Sequence, residues 1–261
     1  MAVINGTDGN DRLLGEEFED NTVYGHGGRD LLDGGGENDE LFGGADDDAI
    51  YGRRGDDLLE GGAGNDRLDG VFGDDILRGG AGNDTLKGSA GADLLNGGQG
   101  NDTAIYAGSR GAVEVNLATG TGTGGQAEGD VLRGIENLTG SRRDDTLTGD
   151  SGNNHIDGGG GDDTLHGGLG DDTLEGGAGA DELAGGAGAD TFVFRAGHGL
   201  DVVKDFSGGE DMLELRASGV TFSDLIIAGY EDDTLVVWNE GVIRLEGVQG
   251  DALTEDSFAF A

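Results

Sequence analysis

The sequence has no cysteine and no proline, few aromatic residues (5%), and only 15 basic residues against 54 acidic ones. Without cysteine no disulfide can brace the chain, and cysteine usage leaves the redox compartment open. Without proline, and without a three-residue glycine period, the 59 glycines among 261 residues are not those of a collagen. No apolar run approaches the ~20 residues that a membrane-spanning helix needs; the longest are short pieces such as Leu235 to Trp238. The opening MAVINGTDGNDRLL has no basic region followed by an apolar one, so it does not read as a Sec-type signal peptide, and any export is expected to use another route. The formal charge of −39 argues against nucleic acid as a partner. It also means that a compact fold must crowd carboxylates together unless something neutralises them. Such a composition reads equally as a disordered acidic polymer, and only periodicity separates the two.

The period is nine. Consecutive nonapeptides without insertion or deletion begin at Gly25, Gly34, Gly43, Gly52, Gly61, Gly70, Gly79, Gly88 and Gly97, and six more begin at Gly140, Gly149, Gly158, Gly167, Gly176 and Gly185. Clear members are GGAGNDRLD from Gly61, GGAGNDTLK from Gly79 and GGLGDDTLE from Gly167. Position six is Asp in all of them except the copy at Gly149, which has Asn154. Position eight is apolar throughout, ending in Ala104 and Phe192. An earlier copy, GTDGNDRLL from Gly6, precedes a degenerate ten-residue turn, GEEFEDNTVY, that brings Asn21 near the Asp position. Six glycine-rich residues make a tight turn, and the remaining x-Leu-x makes a short strand with its middle side chain inward. If two nonapeptides complete a coil, turns on one edge lie eighteen residues apart, and Asp66, Asp84 and Asp102 stack.

These repeats match the pattern G-G-x-G-x-D-x-U-x, and the chain resembles the RTX, or haemolysin-type, calcium-binding family over nearly its whole length. The resemblance implies an all-β, right-handed parallel β-roll in two repeat blocks with a C-terminal β cap. The expected divisions are a first block over 1–105, a connector over 106–139 that continues or bends the roll, a second block over 140–193, and a cap over 194–261. The connector breaks the period but alternates in Val113, Val115 and Leu117. The cap holds most of the aromatic residues and the single Trp238. An atypical end is what a solenoid needs to cover its last strands.

The resemblance also implies multiple Ca²⁺ ions between stacked turns, each taking position-six carboxylates from both turns and backbone carbonyls from positions one to four. Ca²⁺ prefers six to eight hard oxygen ligands, which such turns offer. The carboxylates so implied are Asp11, Asp30, Asp39, Asp48, Asp57, Asp66, Asp75, Asp84, Asp93 and Asp102, then Asp145, Asp163, Asp172, Asp181 and Asp190. Carbonyls come from the best-kept turns: Gly61, Gly62, Ala63 and Gly64; Gly79, Gly80, Ala81 and Gly82; Gly97, Gly98 and Gly100. In the second block they come from Gly158, Gly159 and Gly161; Gly167, Gly168 and Gly170; Gly176, Gly177 and Gly179; Gly185, Gly186 and Gly188. The opposite edge of the first block replaces turn glycines by Glu37, Arg53, Val71 and Ser89, and strain there is expected to weaken binding. On that edge Asp93 is the last repeat acid, so Asp84 is expected to matter more. Asn154 and the Gly-poor GSRRDD at Gly140 are expected to be poorer sites. Because ordering nine residues costs more than burying one Leu returns, the repeats are expected to be disordered until ions bind.

No HExxH, GxSxG or GxxxxGK[ST] motif occurs, so no catalytic residue is assigned. His26, His155, His166 and His198 are scattered and read as surface or cap residues. Asp201, Asp205 and Asp211 read equally as a last ion site or as surface acids. The leading functional expectation is a noncatalytic, extracellular bacterial calcium-binding protein, complete from Met1 and exported by the type I secretion apparatus. TEDSFAFA at Thr254–Ala261 resembles the family's C-terminal signal. Two alternatives stand beside it: an adhesion, matrix or host-signalling protein that meets cell-surface or matrix glycans, and the accessory module of a secreted protease, lipase or polysaccharide-modifying enzyme.

Overall fold

The computed structural model describes residues 2–239 and 241–261. Met1, read above as the initiating residue, lies outside the described residues. The chain is an all-β parallel solenoid, and the described residues contain four single-turn 3-10 segments and no α-helix. It divides into two compact units, the first ending at Asn137 and the second running Leu138–Ala261.

In the first unit, successive nonapeptides alternate between two facing sheets. One contains Glu40–Ala45, Leu58–Ala63, Ile76–Ala81 and Leu94–Gln99, the other Ala49–Arg54, Arg67–Phe72 and Thr85–Ala90. Neighbouring strands are parallel and offset by eighteen residues, as in Leu59 opposite Leu77 and Leu68 opposite Leu86. The stacking expected from the period is therefore present. The strands are twice as long as expected, because the ladder runs on from x-Leu-x through positions two and three, pairing Gly62 with Gly80 and Ala63 with Ala81. Identical backbones lying directly above one another keep their hydrogen-bond partners into the glycine-rich turn.

Between the sheets lies one column of position-eight side chains, from Leu32 through Leu41, Ile50, Leu59, Leu68, Leu77 and Leu86 to Leu95, all fully buried. Removing Leu68 to Ala is worth about 2–5 kcal/mol of stability on this basis. The segment after Ala104 leaves the period but not the unit. Glu114–Asn116 and Thr121–Thr123 form an antiparallel pair, and Val131–Arg133 then returns as a parallel strand on Leu94–Gln99, with Leu132 opposite Leu95.

The second unit repeats the arrangement. Thr164–Leu169 pairs with Glu182–Ala187, and His155–Gly160 pairs with Thr173–Ala178, again in register at eighteen residues. Its buried column is Leu147, Ile156, Leu165, Leu174, Leu183 and Phe192. Beyond it, Met212–Arg216 lies parallel to Thr191–Arg195, and Gly241–Leu245 lies parallel to Leu200–Val203. Ile226–Tyr230, Asp233–Trp238 and Gly241–Leu245 form an antiparallel meander. Phe258–Phe260 pairs with Met212–Arg216, so the terminal TEDSFAFA is a built part of this unit.

Glycine at position two is demanded by the backbone. Gly80 has φ +118°, and a Cβ there would collide with the Gly62 carbonyl oxygen of the layer before. Gly80→Ala is expected to cost more than about 2 kcal/mol, from left-handed strain plus overpacking. Gly160→Ala, at position three, where an added Cβ would meet the Ala178 carbonyl oxygen at 3.4 Å and the Ala178 Cβ at 3.9 Å, is expected to stay within about 0.5 kcal/mol. Thermal unfolding of both variants in saturating calcium checks the contrast.

Candidate metal centres

Every position-six side chain has a defined place in the turn. Where the repeats run on unbroken, the backbone N–H of each donates to Oδ1 of the Asp eighteen residues later. Asp30 thus donates to Asp48, Asp48 to Asp66, Asp66 to Asp84 and Asp84 to Asp102, each at 2.8 Å. On the other edge Asp39, Asp57 and Asp75 donate in turn to Asp57, Asp75 and Asp93, also at 2.8 Å. In the second unit Asp145 donates to Asp163 and Asp163 to Asp181, while Asn154 donates to Asp172 and Asp172 to Asp190, at 2.7–2.9 Å. Four ladders of carboxylates result, two in each unit.

The second oxygen is different. Oδ2 of Asp30, Asp39, Asp48, Asp57, Asp66, Asp75, Asp84, Asp93, Asp102, Asp163, Asp172 and Asp181 is buried with no hydrogen-bond partner. A buried carboxylate oxygen without a donor is strongly disfavoured. Its surroundings are themselves oxygen: in the turn at Gly61, Asp66 Oδ2 and the carbonyl oxygen of Gly79 both crowd the space that a Cβ on Gly61 would take. Gly158 and Gly167 stand in the same relation to Asp163 with Gly176 and to Asp172 with Gly185. Among the described residues no three acidic or imidazole side chains converge on one point. The donor set is one carboxylate per turn amid stacked carbonyls, all hard oxygen. That set fits Ca²⁺ and suits neither zinc nor copper, which favour nitrogen and sulfur.

Burial shifts these acids strongly. Loss of water, reinforced by neighbouring carboxylates and only partly offset by the N–H that each accepts, pushes Asp57 up to about 8 and Asp93 and Asp163 to about 7. The same cause takes Asp48, Asp66, Asp75, Asp84, Asp102, Asp172 and Asp181 to about 6. Burial and crowding therefore favour the neutral, protonated form of these carboxyls over the charged one.

Several participants were invisible to the period. Asp93 is not the end of its ladder: its N–H donates to Asp130 Oδ1 at 2.9 Å, and Tyr106, fully buried, donates its hydroxyl to Asp130 Oδ2 at 3.0 Å. Asp102 likewise donates to Glu136 at 2.8 Å. In the second unit Asp181 donates to Asp201 and Asp190 to Asp211, so these two acids are buried ladder members. Asp205 instead accepts from the N–H groups of Gly185 and Gly186. His198 is buried, stacks on Trp238 and lies with Nδ1 2.5 Å from Asp201 Oδ2.

Position five forms a second, outer ladder that runs the opposite way. The N–H of Asn65 donates to Asp47, that of Asn83 to Asn65 and that of Asn101 to Asn83, at 2.8–3.0 Å. This explains the recurrent Asn-Asp and Asp-Asp pairs: one residue serves the inner ladder and its neighbour the exposed one. The edge with substituted turn glycines keeps the same geometry, with Arg53, Val71 and Ser89 held at φ of 79–85° and Glu37 at 65°. His26 and Asp46 do the same on the other edge, so strained turns are not confined to one side.

The family model for the RTX calcium-binding nonapeptide repeat matches residues 5–41, 18–50, 33–68, 42–77, 69–104, 132–165, 139–174 and 166–200. The chain belongs to that family of calcium-binding repeat proteins. Among solved structures it is similar to the AlgE6R3 subunit of the Azotobacter vinelandii mannuronan C5-epimerase, with 36% identity over 47% of this chain and 81% of that one, at a TM-score of 0.40. The AlgE6R2 subunit of the same epimerase gives 31% identity over 47% of this chain and 91% of that one, at 0.36. The extracellular lipase LipA from Serratia marcescens gives 22% identity over 86% of this chain, at 0.39, and the chain spans 40% of the lipase. No curated protein matches significantly.

Proposed function

We propose that the protein is a noncatalytic, extracellular bacterial calcium-binding protein whose roll folds as Ca²⁺ enters the carboxylate ladders. The observation that carries this reading is the row of buried Asp Oδ2 atoms without donors. The Asp residues that own them, with the carbonyls of the turn glycines, would hold the ions. A bound ion supplies the charge neutralisation that burial denies, and its binding energy becomes folding energy. The roll in this reading has a first block, a connector that continues its ladder through Asp130 and Glu136, a second block and an aromatic C-terminal cap. Isothermal titration with calcium tests the reading: binding of several ions per chain supports it, and no heat of binding at millimolar calcium would sink it.

Export by a type I system belongs to the same reading. A chain that stays unfolded at low cytoplasmic calcium can pass a narrow conduit, and folding outside opposes its return. Thr254–Ala261 would carry the signal. Because Phe258 is buried and Phe258–Phe260 completes a strand pair, removing the whole segment would also unsettle the second unit. The cleaner test replaces only the exposed Glu255 and Asp256 by Ser in a host with the matching transporter. Secretion at the unsubstituted level would remove those acids from the signal.

A further inference from the structure

The turns are of two kinds, and the backbone at position two sorts them. Where Asp occupies position six and a partnerless Oδ2 points into the turn, position two is left-handed whatever its side chain: His26, Arg53, Val71 and Ser89 at φ of 79–85°, and glycines such as Gly62, Gly80, Gly168 and Gly177 at 98–120°. At the first turn of each ladder, position two is Thr7, Glu16, Ser141 or Asp150, and none has positive φ. Its N–H swings inward and donates to the position-six side chain: Thr7 to Asp11 at 2.6 Å, Glu16 to Asn21 at 3.1 Å, Ser141 to Asp145 at 2.5 Å and Asp150 to Asn154 at 2.8 Å. The turn is latched by its own backbone.

Two further observations point the same way. Asn replaces Asp in two of these four turns and in none of the turns with left-handed position two. An amide oxygen suffices for the latch, whereas only a carboxylate brings the charge that a cation requires. At Asn21 the amide takes the cation's part. Its Nδ2 lies 2.7–3.2 Å from four oxygens, the carbonyls of Glu16, Glu19 and Gly34 and Oδ1 of Asp39. An amide nitrogen has only two hydrogens for four acceptors. Such a cage of oxygens around one centre is the arrangement that a metal ion otherwise gathers.

We propose that the ladder-opening turns at Asp11, Asn21, Asp145 and Asn154 are ion-free latches, and that left-handed backbone at position two marks the turns that take Ca²⁺. The inference rests on the calcium reading above. It assigns Asp11 and Asp145 a structural role despite their matching position in the repeat, and it explains why Arg53 and Val71 accept an unfavourable backbone conformation: a relaxed φ would close their turns.

The test uses the full chain and counts bound ions by equilibrium dialysis with radiolabelled calcium, alongside the calcium midpoint of folding. Asp11→Asn and Asp145→Asn, one in each unit, are expected to bind as many ions as the unsubstituted chain, with midpoints within about twofold. Asp84→Asn and Asp172→Asn are expected to lose at least one ion each and to raise the midpoint about tenfold or more. Loss of an ion by Asp11→Asn or Asp145→Asn, while the unsubstituted chain binds normally, overturns the latch assignment alone. An unsubstituted chain that binds no calcium overturns the calcium reading and the latch with it.

Discussion

Chelated protein is expected to gain β-structure on acidification from about pH 7.5 to pH 5, without any calcium, because protons do part of the ion's work. Against an ordinary value of 3.8, Asp57 stands at about 8, Asp163 at about 7 and Asp66 and Asp84 at about 6 in the folded turns, chiefly through burial. The folded state therefore holds more protons than the unfolded one across that interval. Stability from protonation is fully present below about pH 4 and is lost as pH rises through 6 to 8. A carboxyl raised from 3.8 to about 6 costs the metal-free fold about 3 kcal/mol at pH 7. Each such group costs a sizeable fraction of the stability of an ordinary domain, about 5–15 kcal/mol, and each ladder contains several. With calcium the dependence fades, because the ion neutralises the ladders in place of protons, and calcium-loaded protein should be β-rich across the whole interval. Circular dichroism against pH, with and without chelator, reads both limbs. A chelated spectrum that does not change between pH 7.5 and pH 5 would contradict the burial of the ladder.

Asp84→Ala and Asp93→Ala are expected to damage calcium-induced folding severely and to similar extents. Asp84 Oδ1 accepts the N–H of Asp66, and Asp93 Oδ1 accepts that of Asp75, both at 2.8 Å. Each substitution strands a buried N–H, at about 1–3 kcal/mol, and removes a carboxylate oxygen from an all-oxygen site. The repeat pattern alone ranks Asp84 above Asp93, as an inner member against a terminal one. Asp130 removes that difference by receiving the N–H of Asp93. The calcium midpoints of both variants should rise about tenfold or more and agree within about threefold. A much milder effect at Asp93 would mean that the segment carrying Asp130 does not extend the ladder in solution.

Where the period is intact, the sequence specifies the fold almost residue by residue. Position eight is the buried column, position six is the inner ladder, and their spacing of eighteen follows from two nonapeptides per coil. Asn21 is found near its true position despite the extra residue in its turn. The sequence is silent where partners are supplied from far along the chain. Asp130 meets Asp93 across thirty-seven residues and Glu136 meets Asp102 across thirty-four, after an excursion that carries no repeat. Asp201 and Asp211 join their ladders at spacings of twenty and twenty-one, which no period of nine encodes. The outer ladder was in plain view as Asn-Asp and Asp-Asp pairs, but a charge pair on a turn reads as solvated surface until its N–H partners are known. The handedness of position two is likewise hidden at Arg53, Val71 and Ser89, because stacking imposes there a conformation that their side chains do not favour.

The central claim is that cations folding into the ladders make this chain a roll, and far-ultraviolet circular dichroism of the whole protein tests it most directly. Spectra recorded at pH 7.5 in excess chelator and then in millimolar calcium should pass cooperatively from a disordered chain to a β-rich one, and return when chelator is restored. A chelated spectrum already rich in β-structure and indifferent to calcium would contradict it.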